Sequence, residues 1–174
     1  MSLRQKLKEL CKSPSPDKAY YRPLICKGEL SNVDIFFVGT NPATPIYPKQ
    51  MNLDTYVDLL MNYDKFIGYY KVSRIKDSKD EISRTRQGMF SFLNWLSSHT
   101  IASIAETEVI PYPTQSLKLL KKEPSYIIQR GKEIFCELVM EFSPRLLILH
   151  GKKTVEHAVE IFIQKGLIKT IALT

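Results

Sequence analysis

Two kinds of apolar pattern run along this chain. The first is helical spacing. Leu3, Leu7 and Leu10 place an amphipathic helix over residues 3–12, stopped by Ser13-Pro-Ser-Pro16. Leu53, Tyr56, Val57, Leu60 and Met61 repeat the spacing behind Asn52, a suitable N-cap. Met89, Phe92, Leu93 and Leu96 give a helix over residues 84–98 its buried face, and Trp95 beside that stripe is expected in the core. A long helix opens at Pro124-Ser125, carries Ile127, Ile128, Ile134, Phe135, Leu138, Val139 and Phe142, and ends at Ser143-Pro144. The last helix, residues 153–164, closes at Gly166.

The second pattern is the short unbroken apolar run. Ile35–Val38, Thr107–Ile110, Leu146–Leu149 and Leu167–Leu173 read as strands covered on both faces, where polar alternation is lost. Residues 17–32 read as loop, with a short extended piece at Pro23–Cys26. Residues 64–83 are polar and aromatic by turns and carry no assignable period; Lys76-Asp-Ser-Lys-Asp-Glu81 reads as an exposed loop. The order strand, helices, strand, helix, strand, helix, strand predicts one α/β domain over residues 1–174. Its expected architecture is a three-layer α/β/α sandwich around a central four-stranded parallel sheet.

In such sheets ligands bind in the crevice at the carboxyl ends of the strands. Three predicted strand ends meet there: Gly39-Thr40-Asn41-Pro42, Pro111-Tyr112-Pro113-Thr114 and His150-Gly151-Lys152-Lys153. Pro42, Pro45 and Pro48 stiffen the first loop and hold Asn41 extended. Asn41 either presents its amide to a ligand or forms an Asx-type turn.

Composition narrows the setting. With 174 residues and 44% hydrophobic content, the chain suffices for one sizeable core. No apolar run is long enough to span a membrane, and no signal peptide is evident. Cys11, Cys26 and Cys136 are odd in number, widely spaced and without metal-site spacing. A reduced, intracellular (cytoplasmic) and monomeric protein without metal or cofactor is expected. Cys136, among Ile134, Phe135 and Leu138, reads as a core residue. The net charge of +7 suits a polyanionic partner. Basic residues group at Arg4, Lys6, Lys8 and Lys12, at Arg74, Lys76, Lys79, Arg84 and Arg86, at Lys118, Lys121 and Lys122, and at Lys152 and Lys153. No GxxxxGK phosphate loop is present, which argues against a nucleotide triphosphatase.

Val38-Gly39-Thr40-Asn41-Pro42, followed later by Leu147-Ile148-Leu149-His150-Gly151-Lys152-Lys153, resembles the uracil-DNA glycosylase superfamily. There a strand ends in a Gly-x-Asn-Pro or Gly-x-Asp-Pro loop, and a later apolar strand ends in His/Trp-Gly-Lys before a helix. Glu108-Val-Ile-Pro-Tyr-Pro-Thr114 looks like the middle strand of the same fold, so the resemblance spans about Val33 to Leu173. It implies hydrolysis of the N-glycosidic bond of a flipped-out uracil or other damaged or mismatched base in DNA, with no cofactor. Asn41 would orient the attacking water; an amide is a poor base and positions more than it deprotonates. Gly39, Thr40 and Pro42 would line the base pocket. Tyr47 or Tyr112 would stack on the base, or pack against the loop. His150 would touch the leaving base or a phosphate, or simply close the strand. Lys152, Lys153, Arg84 and Arg86 would meet the DNA backbone, or serve as solvated charge.

Two departures accompany the resemblance. Where members that read uracil often carry an Asn near the middle strand's end, this chain has Glu106, Thr107 and Glu108. A carboxylate there repels uracil carbonyls unless protonated, but accepts from amino groups as carboxylates do with cytosine. The second concerns the His-Pro-Ser-type loop that follows the last strand in the superfamily; the sequence reaches Thr174 before one. Loss of such a donor typically costs ~2.7–4 kcal/mol of catalysis, so weak or absent activity is expected. The alternative expectation is a non-catalytic nucleic-acid-binding protein that keeps the fold.

Overall fold

The computed structural model describes residues 2–168. The elements in chain order are α1 (Leu3–Cys11), β1 (Leu24–Lys27), a 3-10 turn (Leu30–Asn32), β2 (Val33–Gly39), α2 (Leu53–Leu60), α3 (Tyr63–Lys76) and α4 (Arg84–Ser97). They continue with β3 (Ser103–Glu108), α5 (Leu117–Leu120), α6 (Ser125–Phe142), β4 (Leu146–Leu149) and α7 (Lys152–Gln164). Local chemistry starts the helices where the sequence offers a cap. Asn52 accepts from the Thr55 amide at 2.9 Å, Asn62 from Lys65 at 3.0 Å and Ser83 from Arg86 at 3.2 Å.

The four strands form one mixed sheet in the order β1-β3-β2-β4. β3, β2 and β4 run parallel, whereas β1 pairs antiparallel with β3, Leu24 facing Thr107 and Lys27 facing Ile104. The wholly parallel sheet expected above is therefore replaced by a parallel core with one antiparallel edge. The short extended piece around Pro23–Cys26 supplies that edge, because its residues are buried and must pair their backbone. The strand expected at Leu167–Leu173 lies, from residue 169, outside the described residues. Leu167 itself belongs to the turn that closes α7, its amide donating to the Phe162 carbonyl at 2.8 Å.

β3 also sits earlier than the apolar run suggested. It contains Glu106 and Thr107, both buried, and each has a dedicated partner. Thr107 Oγ1 donates to the Pro23 carbonyl at 2.6 Å, while Glu106 takes Tyr63 and Arg86. A strand that buries polar side chains with partners loses its hydrophobic signature, and the signal slides to Val109-Ile110 just beyond it.

Side chains alternate across β2 and divide the core. Phe36 and Val38 join the larger cluster with Leu7, Leu10, Ile134, Phe135, Leu138 and Ile161. Ile35 and Phe37 face Leu93 of α4 and Ile104, with Met89, Phe92 and Leu96 packed against them. Full burial of such side chains contributes roughly 1.5–3 kcal/mol each. The buried face of α4 centres on Leu93, and Trp95, two positions on, turns about 200° away from it. Trp95 is 56% exposed rather than in the core, resting beside Phe92 and His99. The three cysteines are buried. Burial raises the pKa of Cys11 and Cys26 and keeps both as inert thiols.

Candidate functional site

Backbone pairing continues past the strand ends and brings three loops together. The Val109 and Ile110 amides donate to the Gly39 and Thr40 carbonyls, each at 3.0 Å, and the His150 amide donates to the Val38 carbonyl at 2.8 Å. The Thr114 amide donates to the Pro42 carbonyl at 2.9 Å. Gly151, at φ +98°, turns β4 into α7, a conformation that L side chains rarely adopt. In that first turn the buried Thr154 donates to the His150 carbonyl at 2.7 Å, so the Thr40 hydroxyl, 2.8 Å away, donates to Thr154. The β2 exit is thereby tied to both neighbouring strand exits.

These loops floor a cleft of about 630 Å³. Gly39, Thr40, Asn41, Pro42, Tyr47, His150 and Arg86 all line it, so most of the sequence-predicted site residues converge. Its other wall comes from α3 and from the turn into α4, with Tyr70, Arg74, Lys79 and Thr85. The segment that showed no period is thus one side of the cleft.

Asn41 is held by both ends of its amide group's donor side. Its Nδ2 donates to Thr114 Oγ1 at 2.9 Å and contacts the Pro42 carbonyl at 3.3 Å. Thr114 Oγ1 in turn donates to the Ser116 carbonyl at 2.9 Å, so it can only accept from Asn41. This chain fixes the amide's orientation and leaves Oδ1 as its acceptor without a partner among the described residues.

Other expected site residues fall elsewhere. Tyr112 is buried and packs edge-on to Tyr21, with centroids 5.3 Å apart, so it does not reach the cleft. Prolines on both sides hold its backbone, but the ring turns inward. Lys152 and Lys153 are exposed beyond the cleft and face Glu156. Arg84 lines a smaller, mostly apolar cleft of about 470 Å³ beside β4 and α4, which shares Phe37, Thr85, Met89 and His150 with the first. Arg86 is no solvated backbone contact. It is buried, ion-paired with Glu106, and stacked over Tyr70 and Phe90. Of the basic group on α1, Arg4 and Lys8 pair with Asp54, and Lys6 pairs with Glu141.

Two charged groups at the cleft were not expected as a pair. Glu108 closes β3 opposite Gly39, and a Cβ on Gly39 would collide with its carboxylate. Burial pushes the Glu108 carboxyl up to about 7; Arg22 and Arg86 oppose the rise and Glu106 adds to it. Arg22, before β1, is 8% exposed, lines the same cleft and lies 5.1 Å from the centre of the Phe66 ring. Burial lowers its pKa. The sequence signal for Arg22 is a lone cation inside the buried stretch Ala19–Cys26.

Fold and site define an α/β protein with a polar crevice at the carboxyl ends of its parallel strands. No family model, no curated protein and no solved structure matches the chain. Among the described residues no helix is long and apolar enough to cross a membrane, and no His, Cys, Asp and Glu side chains group to hold a metal ion.

Proposed function

We propose that this chain is a DNA base-excision glycosylase-like protein with the three-layer architecture of the uracil-DNA glycosylase superfamily. The observation that carries the reading is the Asn41 amide. Its donor side is consumed by Thr114 and Pro42, and its oxygen is left to accept from a water in the cleft. In the reaction, the glycosidic bond breaks with its electron pair leaving on the base, and a water oxygen bonds to the sugar C1′. One water proton then passes to the base or to solvent. Asn41 holds that water on one face of an oxocarbenium-like sugar, a positioning role that suits an amide. His150, at the rim, faces the departing base or a flanking phosphate, and Arg74 and Lys79 favour the polyanion.

A base-release assay tests this on duplexes carrying uracil, hypoxanthine or a mismatch, comparing wild type with Asn41→Ala. Release falling about 100-fold in the variant is expected, by analogy with the loss of one preorganised polar group. Equal release from both proteins removes Asn41 from the mechanism. Salt-sensitive gel-shift binding without release from either protein favours the non-catalytic binding reading instead.

A further inference from the structure

Two charged side chains line the cleft without a hydrogen bond or ion pair to any described residue: the Glu108 carboxylate and the Arg22 guanidinium. Of their neighbours, Glu106 accepts from Tyr63 on one carboxylate oxygen at 3.0 Å and from Arg86 on the other, so its carboxylate is already satisfied. Arg22 has only the Phe66 ring, and its backbone amide is spent on the Pro111 carbonyl. Glu108 and Arg22 both keep polar atoms open to the cleft, since no fully buried side-chain nitrogen or oxygen among the described residues lacks a partner, so a ligand in the cleft can complete them.

The chemistry of the pair restricts what it can take. A phosphate or carboxylate would satisfy Arg22 but would face repulsion from Glu108. A ligand bearing only carbonyls satisfies Arg22 and strands the carboxylate. A planar edge with a ring N–H beside a carbonyl serves both, since the carboxylate accepts the N–H and the guanidinium donates to the oxygen. We infer that Glu108 and Arg22 read the lactam edge of a heterocyclic base, N–H to Glu108 and C=O to Arg22. The inference rests on the glycosylase reading for its choice of a base as ligand. It also eases the conflict that a carboxylate poses for carbonyl-bearing bases, because one carbonyl beside the N–H is met by Arg22. Hypoxanthine, with a single carbonyl next to N1–H, fits the pair more fully than uracil, whose N3–H lies between two.

Gly39 makes the approach possible. It sits opposite Glu108 on the neighbouring strand, and with no side chain there the carboxylate lies over the strand end. The other charged or titratable groups lining the cleft are Arg86, Arg74, Asp77, Lys79, Tyr47, Tyr70 and His150. Arg86 is already paired, and Arg74 donates to the Asp80 carbonyl at 2.6 Å.

The test is saturation-transfer NMR on the whole chain at pH 8. The probes are 9-methylhypoxanthine and 1-methyluracil, whose glycosidic nitrogen is blocked, set against 1,9-dimethylhypoxanthine and 1,3-dimethyluracil, which keep the carbonyls and lose the ring N–H of the lactam. Wild type is expected to bind each lactam at least ten-fold more tightly than its methylated partner, because a site built for an N–H rejects the analogue lacking it. Glu108→Gln should narrow that ratio several-fold, and Arg22→Gln should weaken both lactams while circular dichroism shows an intact fold. If Arg22→Gln does not fold, Glu108→Gln and the methylated probes decide. Equal binding of lactam and methylated base by wild type, an unchanged ratio in Glu108→Gln, or no binding of any probe overturns the inference. The readout needs no bond cleavage, so lactam-selective binding without base release leaves the inference standing while the glycosylase reading falls. Release of bases that lack a lactam edge, with no lactam selectivity in binding, does the reverse.

Discussion

Glu106 and Glu108 stand two residues apart on the same strand and point to the same face of the sheet, yet their surroundings are opposite. Glu106 is closed in under α3 and α4, with Tyr63 and Arg86 as partners and the rings of Tyr70 and Phe90 around Arg86. Glu108 lies one pleat further on, where the strand runs out into the cleft, and has no hydrogen-bond or ion-pair partner among the described residues. The first arrangement is that of a structural ion pair, in which both carboxylate oxygens are already taken. The second leaves a carboxylate to be completed from outside the fold. Burial of a charge alone does not separate structural from functional groups; whether its hydrogen bonds are already made does.

The largest expected effect lies on the closed side. Arg86→Met leaves Glu106 buried without its ion-pair partner and should destabilise the protein by about 3–5 kcal/mol, read from the urea midpoint. A loss below 1 kcal/mol would mean that Glu106 is not held as a buried pair, and the contrast with Glu108 would vanish.

On the open side the sign reverses. Burial pushes the Glu108 carboxyl up to about 7 in the folded chain, against an ordinary 4.5. Between those values the folded state holds a proton that the unfolded state has released, so stability falls as pH rises from 4.5 to 7. Glu108→Gln removes this penalty. At pH 8 it should stabilise the protein by ~1–3 kcal/mol, the upper figure being the full shift and the lower allowing for water in the cleft. At pH 4 the two proteins should be nearly equal. The substitution leaves every other ionisable side chain in place, so the difference between the two proteins isolates residue 108. A variant that is less stable than wild type at pH 8 would show that the ionised carboxylate has a partner inside the fold.

The same contrast explains what could be read from the sequence. β2 was legible because its apolar run, Ile35–Val38, needs nothing but a covered sheet. Leu146–Leu149 was legible as a strand but not as the buried one expected, since among the described residues β4 lies at the sheet edge with Leu146 exposed and the rest half-buried. The loops after both followed. Asn41 was legible for the same reason, since its position at a strand end before Pro42 is local information. β3 was displaced because Glu106 and Thr107 are buried only by virtue of Arg86, Tyr63 and the Pro23 carbonyl, partners distant in sequence. α3 buries only Phe66 and Tyr70 and so shows no stripe to detect. Arg22 belongs to the cleft because β1 turns back antiparallel against β3, and no neighbouring residue announces that.

Gly39→Ala carries the smallest expected effect on stability and tests the contrast most directly. The new Cβ meets the tip of the Glu108 side chain, which can swing towards the open cleft, so the cost should stay within ~1 kcal/mol. What it should not spare is position. A carboxylate pushed off the strand end no longer lies where a ring N–H reaches it, so the preference for lactam over methylated base should shrink about as far as in Glu108→Gln. Combining the two substitutions should then add little, since both remove one and the same contact. An intact preference in Gly39→Ala would place the base elsewhere in the cleft and return Glu108 to the same structural standing as Glu106.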